Sequence, residues 1–277
     1  TLSSSSAASD VYKRQVHAVA GFFALGVLIN LGPRIGKFNA DGTANDISGH
    51  NMPFTATGLM LIIVGFWGFL MACMILPGEG WSWTANTGTT IYGTPMNLSA
   101  LSFNILMGIA GGIIGAWLLN RDPFWMMSGA LAGIISVASG LDIYFPALAF
   151  IVAIVAGLLL RPAAKMLESF GIDDAVGAVT VHGTIGVYGM VVFGIFAQGY
   201  PALFIENAPT VSILGQLVGA IVTSLCGFIP GYILSLCLSG LGMLRTPEAA
   251  EIAGLDTTKV PAQAFPEGIP ASAQPAE

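Results

Sequence analysis

Charged side chains are scarce in this sequence. Asp, Glu, Lys and Arg make up 9% of its 277 residues, against about a quarter in soluble domains. A water-soluble fold of this length needs far more polar surface to cover its core, so that class is excluded. Positive charge is scarcer than negative: nine Lys and Arg stand against fifteen Asp and Glu. No basic face remains for phosphates, which excludes nucleic-acid binding. Cysteine is nearly absent too. Cys73, Cys226 and Cys237 lie in apolar stretches and outline neither a disulfide framework nor a CxxC metal site. No nucleophile, metal-ligand set or phosphate-binding loop presents itself, so the chain does not read as an enzyme and implies no cofactor.

What the chain does have is apolar length, with 55% hydrophobic residues and a mean hydropathy of +0.79. It reads as an all-α, polytopic helical protein of the lipid bilayer. A span needs about 20 mostly apolar residues to cross a hydrocarbon core of about 30 Å. Seven candidates fall between polar or Gly/Pro-marked breaks, at 16–31, 54–76, 98–119, 124–139, 143–160, 176–197 and 211–241. The runs are continuous and lack the apolar/polar alternation of barrel strands, so they are helices. The first and fourth are short, and the boundary between the fourth and fifth, at Gly140-Leu141-Asp142, is weakly marked.

Orientation follows from the few cations. Arg34 and Lys37 follow span one, Arg121 follows span three, Arg161 and Lys165 follow span five, and Arg245 and Lys259 follow span seven. The loops after spans two, four and six carry Glu79, Asp142 and Glu206 and no Lys or Arg. All of these loop cations therefore sit in alternate loops, the positive-inside pattern, with the C-terminus in the cytoplasm. Lys13 and Arg14 break the rule by preceding span one on the outer side. Residues 1–15 are polar and Ser-rich, without a signal-peptide core. We expect them to be a non-native lead-in to a transmembrane region over 16–244; an ordinary N-terminal tail is the alternative. Residues 245–277, rich in Pro, Ala, Glu and Gln, read as a cytoplasmic tail, disordered unless it docks on the loops.

In lipid, close helix packing depends on small residues. Of the 36 glycines, several recur at i, i+4: Gly108 and Gly112, Gly111 and Gly115, Gly129 and Gly133, Gly227 and Gly231. Their number favours a compact bundle.

Polar groups at membrane depth are costly and point to function. His17 opens span one and His182 lies early in span six, both in the frame Val-His-x-x-x-Gly. An internally duplicated transporter, with equivalent residues of two halves meeting near the midplane, has this kind of repeat. Two apposed neutral imidazoles can share one proton and offer their outer nitrogens to a small, weakly basic solute, and desolvation keeps both rings uncharged. The alternatives are that each histidine bonds separately to backbone, or that they belong to a metal site, for which no further ligand falls at the right spacing. At 1.5 Å per residue, His182 lies roughly 12 Å from Asp174 and His17 roughly 23 Å from Gly32, so tilt or unequal helix ends must bring them level. His50 reads as a loop or helix-entry residue. Asp173 and Asp174, at the start of span six, suit the helix dipole better than direct contact with a solute. Phe66 and Phe69 share one face of span two and form either a pore constriction or part of the core or lipid face.

At these residues the chain resembles the ammonium transporter/methylammonium permease/Rhesus protein family. The matching stretches are Val16-His17 through Gly32-Pro33-Arg34, His50-Asn51-Met52-Pro53, Gly65-Phe66-Trp67-Gly68-Phe69, Asp173-Asp174 with Val181-His182-Gly183, and Arg245-Thr246-Pro247-Glu248 with Gly254-Leu255-Asp256. They occur in family order. The resemblance implies an eleven-helix plasma-membrane transporter with inverted repeats, of which this chain holds helices five to eleven, a homotrimer with one path per subunit, and ammonium or ammonia as substrate. It implies that His17 and His182 are the twin pore histidines, Phe69 the inner phenylalanine of a hydrophobic gate, Phe66 a pore-wall aromatic that is usually Trp, and Asp174 a structural carboxylate. A PII-type regulatory protein is the implied partner of the tail. The chain departs from the family in several places. Cys73 stands where a recruitment Ser is common, Leu70 where Asn is usual, Gly177 for a frequent Asp, and Val179-Thr180 for Phe-Gly. The tail lacks His-Gly-Glu after Leu255-Asp256. The lost recruitment residues leave an ammonium sensor on the same scaffold as the alternative, and a structural membrane subunit without a path as a third.

Overall fold

The computed structural model describes residues 15–49, 51–73, 82–86, 88–202, 206–207, 210–255 and 258. The expected lead-in up to residue 14, His50, Glu79, Asp256 and Lys259 lie outside the described residues. The fold is helical: α1 (Ala20–Leu31), α2 (Met52–Ala72), α3 (Leu98–Leu119), α4 (Pro123–Val137), α5 (Pro146–Ser169), α6 (Ile185–Phe196), α7 (Ile213–Gly240) and a short α8 (Glu248–Ala253). Two π-helical segments, Gln15–Val19 and Ala178–Thr184, lead into α1 and α6. A small hairpin pairs β1 (Gly88–Thr89) with β2 (Pro95–Met96). Five of the helical segments are long and apolar enough to cross a membrane, and Val16–Leu31 and Pro123–Val137 are shorter apolar helices.

The helices start where side chains satisfy their first backbone N–H groups. Asn51 accepts from Phe54 N at 2.9 Å, Asn97 from Ala100 N at 2.9 Å, Asp122 from Phe124 N at 2.7 Å and Ser212 from Gly215 N at 3.1 Å. Pro53, Pro123 and Pro146 stand in the first turns of α2, α4 and α5, where a missing N–H costs nothing. The largest difference from the sequence reading is in α5. It starts at Pro146 rather than 143 and runs on to Ser169, so Arg161 and Lys165 lie on the helix instead of in a loop after it. Apolarity measures depth in the bilayer, whereas Arg and Lys continue a helix well beyond it.

Glycine seams join the bundle. Gly112 of α3 lies against Gly129 and Gly133 of α4, and Gly115 against Ile154 and Gly157 of α5. Gly227 and Gly231 of α7 lie against Val19 and Phe23. Polar clamps supplement these contacts. Asn30 Nδ2 donates to Tyr232 O and to Ser235 Oγ on α7, and the fully buried Asn104 Nδ2 donates to Leu141 O and Tyr144 O, fixing the α4–α5 turn. At one end of the bundle, Ile91 N donates to Ile143 O and Tyr200 Oη to Thr89 O, tying the hairpin to the loops after α4 and α6. At the other end the cationic loops meet. The outer face of α2 is apolar and open, with Phe54, Leu61 and Val64 each at least 70% exposed.

Candidate functional site

The two Val-His-x-x-x-Gly frames cross. A Cβ on Gly21 would overlap backbone atoms of Gly183, and one on Gly186 would stand 3.2 Å from Ala18 N. Only glycine lets the segments approach so closely. Both histidines lie in the π-helical segments at the crossing, local widenings that recur at functional sites. The rings are nearly parallel, 15° apart, and His17 Nδ1 lies 3.0 Å from His182 Nδ1. One of these nitrogens must carry the proton and the other accept it. His17 is 4% exposed, while His182 is only partly buried.

The levelling that a plain helix count left open has a local cause. The chain from 172 to 177 is not helical, and such backbone advances up to about 3.3 Å per residue. Asp173 and Asp174 hold this segment in different ways. Asp174 accepts from Val179 N at 3.2 Å, Thr180 N at 2.8 Å and Thr180 Oγ1 at 2.9 Å, so it anchors the entry to the His182 segment. Asp173 forms a fork with Arg34: Nε to Oδ2 at 2.7 Å and Nη2 to Oδ1 at 2.9 Å, with Arg34 N also donating to Oδ2. This pair levels the end of α1 with the start of span six, and no sequence spacing pointed to it. Burial raises the Asp173 carboxyl, but the hydrogen bonds and charge of Arg34 outweigh that and hold it below the ordinary range.

The aromatic residues separate. Phe66 stacks on His17 at 5.9 Å and 19°, whereas Phe69 is 38% exposed and its ring is not among those stacked on the histidines among the described residues. Trp67 Nε1 donates to Ser102 Oγ at 2.7 Å, pinning α2 to α3. Cys73 ends α2, its thiol 3.3 Å from Phe69 O, away from the histidine contact. No group of three His, Cys, Asp or Glu gathers as a metal set among the described residues.

At the end of the bundle where Asp173 and Asp174 sit, a cavity of about 490 Å³ opens, lined by the Arg34–Asp173 and Lys37–Glu168 pairs and by Asp122, Trp125, Arg161 and Asp174. The tail docks on the loop after α1: Arg245 donates to Leu31 O, and Glu251 accepts from Ile35 N and Arg245. Two imidazoles whose Nδ1 atoms lie 3.0 Å apart can share a proton and pass it from one ring to the other.

The profile of the Ammonium Transporter Family matches residues 7–265. The chain is 34% identical over 254 residues to ammonium transporter Amt2 of Methanocaldococcus jannaschii, and 30% identical over 269 residues to ammonium transporter Amt2 of Archaeoglobus fulgidus. These matches cover 91% and 92% of this chain but 55% and 54% of those proteins, so the chain spans about half the length of the curated relatives it matches. Among solved structures, one described as a sensor Amt protein is similar with a TM-score of 0.73 and 26% identity, over 90% of this chain and 59% of that one. Candida albicans Mep2 shares the fold at a TM-score of 0.66 and 19% identity, over 86% of this chain and 52% of that one.

Proposed function

Because the chain belongs to the ammonium transporter family, we propose that it carries the histidine centre of an ammonium transport path across a cell membrane. The observation that supports this most is the 3.0 Å contact between the two Nδ1 atoms. The ring that donates through Nδ1 has a free lone pair on Nε2. Ammonium gives a proton to that lone pair and leaves as ammonia. The Nδ1 proton then crosses to the second ring, and the pair holds the charge until ammonia takes the proton back, while the neutral amine passes along the path. In this reading Phe66 forms the path wall beside His17, Phe69 is one leaf of a hydrophobic gate, Cys73 stands at an altered recruitment position, and Asp174 holds the His182 segment in place. The complete protein is a homotrimer in the plasma membrane, with its C-terminus in the cytoplasm, where a PII-type protein meets the tail.

The test is methylammonium uptake by the complete protein in a transport-deficient host. His17→Ala and His182→Ala should each lower uptake at least tenfold, as loss of a positioned acid–base group does. Uptake equal to wild type in both variants rejects the relay. A sensor on the same scaffold is the second reading, favoured by the likeness to the sensor Amt protein. Ammonium binding without flux in the complete protein would select it.

A further inference from the structure

A small void lies against His17 on the α4 side. Its volume is about 10 Å³, the space one water molecule occupies. His17, Ile135, Ala138, Ser139, Gly186 and Met190 form its wall. Two of these carry polar side chains, and both are more than nine-tenths buried: His17 at 4% exposure and Ser139 at 7%. Among the described residues the Ser139 hydroxyl makes no hydrogen bond, and a buried hydroxyl without a partner marks a place for water. The helix α4 ends at Val137, two residues before Ser139, and Ile135 of its last turn lines the void, which sets the void near the negative end of the helix dipole.

The histidines are also unequal. His17 has its Nδ1 engaged with His182 and its ring almost wholly buried, while His182 keeps a partly open edge. We propose that this void binds one water molecule between the outer ring edge of His17 and the Ser139 hydroxyl, and that the two histidines therefore divide the work: His182 meets the solute, and His17 faces the water. The inference rests on the reading of the pair as a proton relay. In the resting state His182 Nε2 is the free acceptor and its Nδ1–H donates to His17 Nδ1. His17 Nε2–H donates to the water, whose two hydrogens go to Ser139 Oγ and a carbonyl of the last turn of α4. Ammonium transfers a proton to His182 Nε2, breaking one N–H bond and forming another. The Nδ1 proton moves to His17, whose Nε2–H proton shifts toward the water. The positive charge is held beside the negative end of α4, and it returns through the same atoms in reverse when ammonia is reprotonated. Ser139 is thus a positioning residue that acts through the water.

Ser139→Ala and Ser139→Thr in the complete protein test this, with methylammonium uptake measured in H2O and D2O and His182→Ala run alongside. Ser139→Ala should lower uptake three- to tenfold, the range of one hydrogen bond, and raise the H2O/D2O rate ratio because the proton step becomes limiting. Ser139→Thr keeps the hydroxyl and should restore both values to within twofold of wild type. Lower uptake in Ser139→Ala with an unchanged isotope ratio, or failure of Thr to rescue, overturns the water site. A high-resolution structure of the complete protein should contain an ordered water in this void, and an empty void overturns the site as well. If His182→Ala abolishes uptake while Ser139→Ala matches wild type, the water site alone fails. If His182→Ala transports normally, the relay itself fails.

Discussion

Gly21 and Gly183 face each other where the two histidine segments cross, yet their responses to a methyl group should be opposite. An alanine Cβ at position 21 would overlap Gly183 N and Cα and stand 2.8 Å from the carbonyl carbon of His182. Carbon atoms settle at about 3.5–4.0 Å, so the segments would have to part by roughly 1 Å. Backbone is what blocks the methyl, and no flexible side chain can swing away. The 3.0 Å Nδ1–Nδ1 contact would stretch to roughly 4 Å, beyond hydrogen bonding. The overpacking should cost about 1–3 kcal/mol. At position 183, in contrast, the nearest neighbours of a Cβ are Gly21 C at 3.5 Å and Phe22 Cε2 at 3.6 Å, ordinary contact distances. Gly183→Ala should be neutral, or stabilising by up to about 1 kcal/mol through lost backbone freedom in the unfolded chain. Thermal unfolding of the complete protein in detergent measures the first difference, and methylammonium uptake the second. Gly21→Ala should melt several degrees lower and lose transport, while Gly183→Ala keeps both. Equal damage from the two substitutions, or more from Gly183→Ala, would refute the crossing geometry.

Two further outcomes concern the charged end of the bundle. Asp173→Asn removes the charge that Arg34 grips with three donors; since the Arg34 side chain is 39% exposed, solvent screening limits the loss to about 1–2 kcal/mol. The folded Asp173 carboxyl titrates below its unfolded value of about 3.9. Its stabilisation is therefore complete above about pH 4 and disappears as pH falls through the folded value. The melting-temperature gap between wild type and Asp173→Asn should stay constant from pH 8 to 5 and close below pH 4, and a gap that changes near neutrality would contradict the pair's role. Glu251→Ala removes the acceptor shared by Ile35 N and Arg245. The α8 segment should then release, seen as faster tryptic cleavage at Arg245 with unchanged melting of the bundle; unchanged protection would show that the tail is held by other contacts.

The helical architecture was legible because membrane depth writes itself as uninterrupted apolar length, and because the cations follow alternate apolar runs. Both signals are local and survive without knowledge of tertiary contacts. They blurred where physics stops being local. The end of α5 lies well past Leu160, through Pro162, because Ala163, Ala164 and Leu167 are buried and Glu168 pairs with Lys37 after α1. The glycine spacings pointed to tight packing but not to partners: that Gly112 meets Gly133 while Gly227 meets Val19 depends on which helices are neighbours.

The histidine pair was legible through its repeated frame, but its register was not. Counting 1.5 Å per residue assumes a helix from Asp174 onward, and that assumption fails over 172–177, where Asp174 gathers the backbone N–H groups of Val179 and Thr180. The same carboxylate-bound turn that hides the register from a periodicity argument positions His182 opposite His17. Ser139 carried no signal at all. A lone serine in an apolar run has no spacing to read, and its meaning lies in the void it shares with His17 and in the end of α4 just before it. The pairing of the two histidines is written in two short motifs, but the void beside His17 is completed by Ile135 of α4 and by Ser139, which neither motif mentions.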